Sequence, residues 1–582
     1  MPTSLVEGNS LLAVDVGATT TRAVLFDVVE GLYRFVAVGQ APSTAEVPHK
    51  NISLGVRDAI ESVQTVTGRN FLDAERNPII PTRPDGSGVD SFAVTLSAGP
   101  AIRTAIVGLL ADVSLESTRR LAETTYSRIV DRLGLTDHRR PEEQIDSLLR
   151  SRPDLILLAG GTDGGASRSI QKMLDTVGLA CYLMPSGKHP AMLFAGNSSL
   201  TDDVKKLMDE LTSTLHFSPN VRPSLEVEDL DPAMSELAQM FTAIRKGQVG
   251  GVEELDAWSG GHILPTSYAA GRMIRFLGSG ASSGVLGVDL GASAASVAMG
   301  VNGSLNLHTY PQYGLGENLA GLLQTTDIED VMRWLSLDIH QNAVRDYLYQ
   351  KSFYPSTLPA TLEDRVIAHA IARQSLYLAV RAARRDFPAG MCSLRSDLLP
   401  PFELILASGA ALTDGPTPGQ NLLLLLDAIQ PVGVTQIMLD RNSLLPLLGV
   451  AAELNNLLPV QVIESGAFHN LGWTVSVLSN ASYGTPVLQA RLQYADKKEA
   501  RAEIKQGSIE VLPLAIGQTA RLSLQPLHRA DVGFGPGRAQ TMMVNGGALG
   551  VVIDARGRPL QLPSDAVRRR ELFKKWLWTL GG

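Results

Sequence analysis

Two stretches of the chain share one pattern of apolar runs separated by short polar turns. In residues 10–39, one apolar run ends at Asp15, a Gly/Thr turn leads into a second, and Glu30-Gly31 leads into a third. This pattern predicts three strands joined by tight turns. Apolar residues then recur near the helical spacing over 52–68, which predicts a helix.

The same pattern returns over 284–310. An apolar run ends at Asp289, a turn of small residues follows, and Asn302-Gly303 is a strong hairpin signal. Each copy has a glycine two residues after the aspartate and a hydroxyl residue four after it: Gly17 and Thr19, then Gly291 and Ser293. We interpret the two units as an internal duplication, and the alternative is a chance similarity of two β-hairpins.

Strands and helices alternate between the two copies, which is typical of a βαβ layer with a parallel sheet. The spacing of apolar residues predicts helices at 117–134, 141–151, 168–178 and 200–211. Strands are predicted at 154–161 and in the segments ACYLMPS and AMLFAGN.

The chain after residue 325 is predicted to be mainly helical, with strands before a glycine turn in 402–415 and in TQIMLD. From about 475 the pattern changes to short strands with frequent turns, followed by a helix over 564–580 with Ser564 as its cap. The predicted domains are a first duplicated lobe at 8–103, an inserted α/β domain at 104–265, a second lobe at 266–474 and a β-rich domain with a terminal helix at 475–582.

Composition indicates a globular protein. Hydrophobic residues make up 44% of the 582 residues and charged residues 19%, which excludes a disordered chain, a coiled coil and a fibrous repeat. The net charge of −8 argues against a nucleic-acid partner. We see neither a signal peptide nor an apolar run near the ~18 residues of a membrane span. We therefore expect a cytoplasmic protein with no membrane partner, and Cys181 and Cys392 are too few for a disulfide framework.

A strand that ends in Asp-x-Gly-x-Thr suits a nucleotide phosphate. Glycine lets the backbone approach the phosphate, and N–H groups and hydroxyls then bind its oxygens. The aspartate can hold Mg²⁺ or orient a water. The candidate catalytic and metal-binding residues are Asp15 and Asp289, and the candidate nucleotide contacts are Gly17, Ala18, Thr19, Thr20, Thr21, Gly291, Ser293, Ser408, Gly409 and Ala410. The alternative is three unrelated glycine turns after buried strands.

This triple pattern resembles the acetate and sugar kinase/Hsp70/actin superfamily, in which two lobes clamp ATP. The resemblance implies a first phosphate loop at 15–22, a second at 289–296 and an adenosine loop at 406–414. The expected fold class is α/β, with duplicated ribonuclease H-like lobes, an inserted βαβ domain and a C-terminal β-rich domain.

A closer resemblance covers roughly residues 10–460. The segments LLAVDVGATTTRAVLFDV, RPDLILLAGGTDGG, LFAGN and HILPTSYAAGRMIRFL occur in that order with GLGENLA and LASGAA, and together they resemble the glutamate mutase L family, often named MutL. The resemblance implies an ATP- and Mg²⁺-dependent chaperone that reactivates an adenosylcobalamin-dependent mutase. It names neither the client mutase nor the oligomeric state.

The second phosphate loop departs from the family pattern. The family usually has paired glycines followed by Ala-Thr-Thr-Asp, whereas this chain has Gly291-Ala292-Ser293-Ala294. ATP hydrolysis, and with it a weak ATPase activity, is therefore left open. A small-molecule kinase of the same superfamily and a scaffold that has lost ATP turnover are the alternatives.

Two further segments have competing interpretations. The glycine-rich turn at 160–165 is either an anion-binding nest or a structural turn with Asp163 as a cap. The basic terminal helix either contacts an acidic partner or is a solvated face above a docked Trp576/Trp578 pair. No cobalamin signature is present, since the nearest match, at Asp338-Ile339-His340, lacks the required glycine.

Overall fold

The computed structural model describes residues 8–388 and 397–581, and Cys392 therefore lies outside the described residues. In chain order, the elements up to residue 280 are β1 (Leu11–Val16), β2 (Thr20–Val29), β3 (Leu32–Pro42), α1 (Ile52–Thr67), β4 (Ser91–Leu96), β5 (Ile102–Val107), α2 (Glu116–Ala122), β6 (Ser127–Leu133), α3 (Pro141–Ser151), β7 (Leu155–Leu158), α4 (Ser167–Leu183), β8 (Ala191–Phe194), α5 (Thr201–Met208), β9 (Leu215–Phe217), α6 (Asp231–Gln248), α7 (Val252–Ser259), β10 (Ile263–Pro265) and α8 (Thr266–Gly280).

The elements after residue 280 are β11 (Val285–Leu290), β12 (Ala295–Val301), β13 (Ser304–Tyr310), α9 (Ile328–Met332), α10 (Gln341–Phe353), α11 (Leu362–Ala383), β14 (Leu404–Ser408), α12 (Ala410–Thr413), α13 (Pro418–Ile429), β15 (Gly433–Asp440), α14 (Leu444–Ala451), α15 (Leu457–Glu464), β16 (His469–Ser476), β17 (Pro486–Tyr494), β18 (Glu499–Lys505), β19 (Ile509–Leu512), β20 (Thr519–Pro526), β21 (Gln540–Asn545), β22 (Val551–Asp554) and α16 (Ala566–Thr579). The GLGENLA segment forms 3₁₀ turns rather than an α-helix.

Two sheets repeat one strand order. The first is β10-β4-β1-β2-β3, and the second contains β15-β14-β11-β12-β13. In each sheet, the first three strands in chain order form an antiparallel set. The next two strands of that sheet run parallel to the first strand of the set. The duplicated ribonuclease H-like lobes and the α/β fold class expected from the sequence are confirmed.

The inserted region forms a separate sheet with the order β6-β5-β7-β8-β9, and all of its strand pairs are parallel. The chain leaves the first lobe after β4 and returns at β10, so the βαβ region interrupts that lobe. Helices α3, α4 and α5 follow the predicted alternation of strands and helices.

Two predictions in the inserted region were wrong. The single helix expected at 117–134 ends at Ala122, and Ser127–Leu133 is a strand that pairs with β5. The strand expected in ACYLMPS consists mostly of the last turns of α4. Short apolar runs fit either structure, and Ser127–Leu133 becomes a strand through its pairing with β5.

Helix α8 joins the two lobes. It starts directly after β10 and packs against α14 in the second lobe. A side chain at Gly449 of α14 would collide with the backbone carbonyl of Ala269, so the two helices cross with their backbones in contact. This close crossing fixes the start of α8, at Thr266, beside the C-terminal end of β4.

The C-terminal region is β-rich, as expected from the sequence, but it shares a sheet with the second lobe. The eight-stranded sheet continues from β15 through β16 and β22 to β19. The predicted boundary at 475 falls inside β16, and the division into four domains stays a prediction. A second sheet, β18-β17-β20-β21, packs beside it.

The terminal helix differs from the prediction in two details. Its cap is Asp565, which accepts the backbone N–H of Val567, rather than Ser564. Trp576 is buried, but Trp578 is 83% exposed. The expected docked tryptophan pair is therefore wrong for Trp578.

A buried ion network holds the C-terminal region to the second lobe. Asp427 of α13 pairs with Arg373 of α11 at 2.8 Å and with Arg556 at 2.7 Å. Arg556 also pairs with Asp554 at 2.9 Å, as does Arg558 at 2.7 Å. Burial by itself would raise the pKa of Asp554, but the two arginines hold it well below its usual range.

We expect Arg556→Ala to destabilise the chain strongly. The substitution leaves the Asp427 and Asp554 carboxylates buried with one cation fewer, and breaking such a pair costs about 3–5 kcal/mol. Thermal and denaturant unfolding measure the loss. Arg501→Ala, at an exposed ion pair, is the control and should change the unfolding free energy by less than about 1 kcal/mol. An equally small loss for Arg556→Ala would contradict a stabilising role for the network.

Candidate functional site

A cleft of about 720 Å³ lies between the two lobes. It is lined by the turns after β1, β11 and β14, so the structure brings together loops that are nearly 400 residues apart in the chain. The sequence-predicted residues that line it are Asp15, Gly17, Ala18, Thr19, Thr20, Asp289, Gly291, Ser293, Ser408, Gly409 and Ala410. Thr21 does not line the cleft, because its position on β2 buries its side chain completely.

The two phosphate-type turns have the same backbone hydrogen bond. Gly17 donates its N–H to the carbonyl of Thr20 at 3.0 Å, and Gly291 donates to Ala294 at 3.0 Å. The turns differ in how strictly they need glycine. A Cβ at Gly17 would lie 2.7 Å from the Thr20 carbonyl oxygen, whereas one at Gly291 would be 3.7 Å from its nearest neighbours.

The two aspartates occupy equivalent positions. Asp15 lies opposite Thr95 of the parallel neighbour β4, and Asp289 lies opposite Ser408 of β14. Each of these neighbours donates its hydroxyl to the aspartate beside it: Thr95 to Asp15 at 2.8 Å and Ser408 to Asp289 at 2.7 Å. The duplication therefore extends from the backbone to the bonding of the candidate carboxylates.

Asp15 has two further polar neighbours. Thr266, the first residue of α8, donates to the same carboxylate oxygen as Thr95, at 3.0 Å. Arg22 lies opposite Asp15 on β2 and also lines the cleft. Burial raises the pKa of Asp15, while the Thr95 hydrogen bond and the Arg22 charge oppose this rise.

The pKa of Asp289 is also raised. Burial, assisted by the charges of Asp15 and Asp440, raises its pKa to about 6 against the lowering effect of Ser408. Ser296 lies opposite Asp289, at the position that Arg22 takes in the first lobe. The second lobe therefore has no cation at this position, and Arg22 opposes the pKa rise of Asp15, Asp289 and Asp440 alike.

The third turn, after β14, packs against the end of β11, where the second phosphate-type loop begins. Gly409 has a φ of +92°, and a side chain there would collide with the carbonyl of Leu290. Because glycine has no side chain, the turn can pack directly against the end of β11. Because the Ser408 hydroxyl already bonds Asp289, the structure gives both residues a role in positioning that carboxylate.

Ser293 presents an unused polar group. Its Oγ is buried and has no hydrogen-bond partner among the described residues. A buried hydroxyl without a partner is costly, so such an atom at a cleft wall indicates a ligand or a water that completes its bonding. This observation fits a phosphate oxygen at the second loop.

Sequence reasoning missed several polar residues at the cleft or directly behind its lining. Asp440 ends β15 next to Ser408 and accepts the backbone N–H groups of Leu444 and Leu445 at 2.8 and 2.7 Å. The position of TQIMLD as a parallel strand ending in an acid was the available signal. Thr266 had no local signal, because only the fold brings it to Asp15.

Helices α10 and α11 form the far wall of the cleft. Lys351 and Arg365 line it together with Tyr347 and His369. Burial lowers the pKa of Lys351. Burial and the nearby Arg373 and Arg365 lower the pKa of His369 to about 4, so this imidazole is neutral at pH 7.

The glycine-rich turn at 160–165 lies outside the cleft lining. The Asp163 carboxylate accepts from Asn220 at 3.1 Å and from the backbone and side chain of Ser198 at 3.2 Å. Asn197 accepts the N–H of Gly164 and donates to the carbonyl of Gly165. These bonds favour a structural turn. The prediction that Asp163 caps the following helix is wrong, because the cap position of α4 is Ala166 and no side chain bonds the start of that helix.

The residues that line the cleft fall in the part of the chain that matches a known protein family. The MutL protein family model matches residues 11–466. The chain belongs to the MutL family. The curated relative "Protein MutL" of Clostridium tetanomorphum is 24% identical over 298 residues, which cover 50% of this chain and 57% of that protein. The chain thus matches little more than half of that relative's length.

Solved structures show only weak overall similarity to this MutL-family chain. A nucleotide-free diol dehydratase-reactivating factor has a TM-score of 0.30 at 10% identity, covering 79% of this chain and 100% of that one. A glycerol dehydratase reactivase has a TM-score of 0.28 at 12% identity, covering 72% and 95%. Similarity at this level transfers no function to this chain.

The described residues, 8–388 and 397–581, contain no helix with the length and apolar character needed to span a membrane.

We expect Asp289→Asn to stabilise the ligand-free chain above pH 6. The pKa of Asp289 rises from its usual 3.8 to about 6, so between these values the native chain binds more protons than the unfolded chain. Its stability therefore falls as pH rises through this window. Asparagine does not ionise, and it should add about 3 kcal/mol at pH 7.5 and less than about 1 kcal/mol at pH 4.

Thermal unfolding at pH 4 and pH 7.5 measures this difference. Asp338→Asn, at an 84% exposed carboxylate that pairs with Arg570 at the surface, is the control and should change either value by less than about 1 kcal/mol. A destabilised Asp289→Asn chain at pH 7.5 would show that the ionised carboxylate is favourable in the empty cleft.

Proposed function

We propose that this MutL-family chain binds ATP with Mg²⁺ in the cleft between its lobes and acts as a reactivating chaperone for an adenosylcobalamin-dependent mutase. The observation that carries the nucleotide part is the pair of equivalent buried carboxylates, Asp15 and Asp289, which face one cleft beside matching glycine turns.

The residues present fit a metal-bound triphosphate. Two buried carboxylates with one shared arginine favour an added cation, since burial penalises each negative charge. Asp15 and Asp289 would hold Mg²⁺, which neutralises phosphate charge when bound. The N–H groups of the first turn, the Thr19 and Thr20 hydroxyls and the orphaned Ser293 hydroxyl would bind phosphate oxygens.

The chaperone part rests on family membership and on the two-lobed form of the cleft. A ligand that contacts both lobes shifts the equilibrium towards the closed arrangement. The size of the shift is the difference between its binding free energies for the closed and open arrangements. Lobe closure would change the surface presented to a mutase, so that damaged cofactor can leave. The client is proposed from the family resemblance and not from a surface feature.

A kinase and a scaffold remain the competing functions. A small-molecule kinase needs a base beside an acceptor hydroxyl, and phosphorylation in a metabolite screen would favour it. A scaffold without turnover is favoured by the second loop, which lacks the Thr-Thr-Asp of the family pattern. ATP binding without hydrolysis or reactivation would support it.

We expect Gly17→Ala to weaken ATP binding at least tenfold. The added Cβ would lie 2.7 Å from the Thr20 carbonyl oxygen, so the first turn must move. Gly291→Ala is the matched control, because its Cβ meets nothing closer than 3.7 Å, and it should lose less than threefold. Calorimetric titration with Mg²⁺ and ATP measures both. Equal losses, or none at Gly17, would show that the phosphate does not use the first turn.

Recovery of an inactivated mutase tests the chaperone proposal. The wild-type chain with ATP and Mg²⁺ should restore turnover of adenosylcobalamin-dependent mutase from the same organism, whereas Asp15→Ala should restore less than a tenth as much. The substitution removes a carboxylate proposed to hold Mg²⁺. Omission of ATP is the second control. A wild-type chain that neither binds nor reactivates the mutase would refute this function.

A further inference from the structure

The outer face of α16 differs from the rest of this acidic chain. Arg568, Lys574 and Lys575 are exposed on it together with one acid, Glu571. These positions recur every three or four residues, which places them on one side of the helix. None of these three cations makes an ion pair within the described part of the chain. The helix and its cap carry five basic and two acidic side chains, whereas the whole chain has a net charge of −8.

The same face carries an exposed tryptophan. Trp578 is 83% exposed, one turn beyond Lys574 and Lys575. Tryptophan and arginine are the side chains most enriched among residues that dominate protein interfaces. An acidic protein surface would complement the charge of these cations and cover the exposed indole.

The inner face of α16 holds the helix firmly on the second lobe. Phe573 and Trp576 are buried in the main core of that lobe, with their ring centroids 5.4 Å apart. The Arg556 guanidinium lies 4.7 Å from the centroid of the Trp576 ring. The apolar side of the helix thus packs against the second lobe, and the opposite side, with Lys574 and Lys575, faces solvent.

A series of ion pairs and hydrogen bonds connects the region under α16 with the proposed nucleotide cleft. Arg556 pairs with Asp427, and Asp427 pairs with Arg373 of α11. Arg373 also donates to the carbonyl of His369 at 3.3 Å, and His369 lines the cleft. These contacts form a continuous path from α16 to α11, which forms one wall of the cleft.

We propose that the outer face of α16 is the docking surface for an acidic region of the client mutase, an inference that rests on the proposed function. A membrane is disfavoured because the apolar face of α16 is buried in the protein, whereas an interfacial helix inserts that face into lipid. A symmetric pair of chains is disfavoured because a two-fold contact would bring two basic faces together.

The test compares charge reversal on α16 with charge reversal elsewhere. The full-length variant Arg568→Glu/Lys574→Glu/Lys575→Glu should bind the holo-mutase at least tenfold more weakly and show a flatter dependence on salt. Its matched control, Lys497→Glu/Lys498→Glu/Arg501→Glu, makes the same charge change at exposed positions of the β17–β18 hairpin and should stay within twofold. Calorimetry at two ionic strengths measures the affinities, and circular dichroism checks folding.

Trp578→Ala is a second variant in case the triple reversal misfolds, since this side chain is largely exposed. It should lose at least threefold in affinity for the mutase. Normal mutase binding by a folded α16 variant would overturn the docking surface and leave the proposed function standing. No mutase binding by the wild-type chain would overturn both. α16-dependent binding to vesicles containing phosphatidylserine, or α16-dependent self-association without mutase binding, would also overturn it.

Discussion

Burial of two like charges at one cleft is the constraint on which the site depends. Asp15 and Asp289 each end a central strand, and each accepts a hydroxyl from the parallel strand beside it. Because burial raises both pKa values, the charged forms of the two carboxylates are disfavoured, and a bound cation would offset this penalty. Sheet register, helix crossing and glycine turns all act to hold these carboxylates in place.

The local parts of this arrangement were predictable from the sequence. Each aspartate, its turn glycine and the returning strand lie within a few residues of one another, so apolar runs and turn residues identify both hairpins. The duplicated lobes and most of the candidate residues followed from this. Thr21 was the exception, because strand alternation points it into the core and not into the cleft.

Non-local pairing explains what sequence reasoning could not reach. Thr266 meets Asp15 only because β10 pairs with β4 on the far side of a long insertion. The strand at Ser127–Leu133 has a helix-like spacing and becomes a strand through its pairing with β5. Likewise, β19 and β22 join the sheet of the second lobe although their sequence indicates a separate β domain.

The lobes, the buried ion network and α16 form one connected support around the cleft.

The central proposal is that the two equivalent carboxylates organise a metal-bound nucleotide. A crystal structure with Mg²⁺ and a non-hydrolysable ATP analogue tests it most directly. The account predicts phosphates against Gly17–Thr20 and Ser293, with the metal between Asp15 and Asp289. A nucleotide bound elsewhere, or a metal that contacts neither carboxylate, would contradict it.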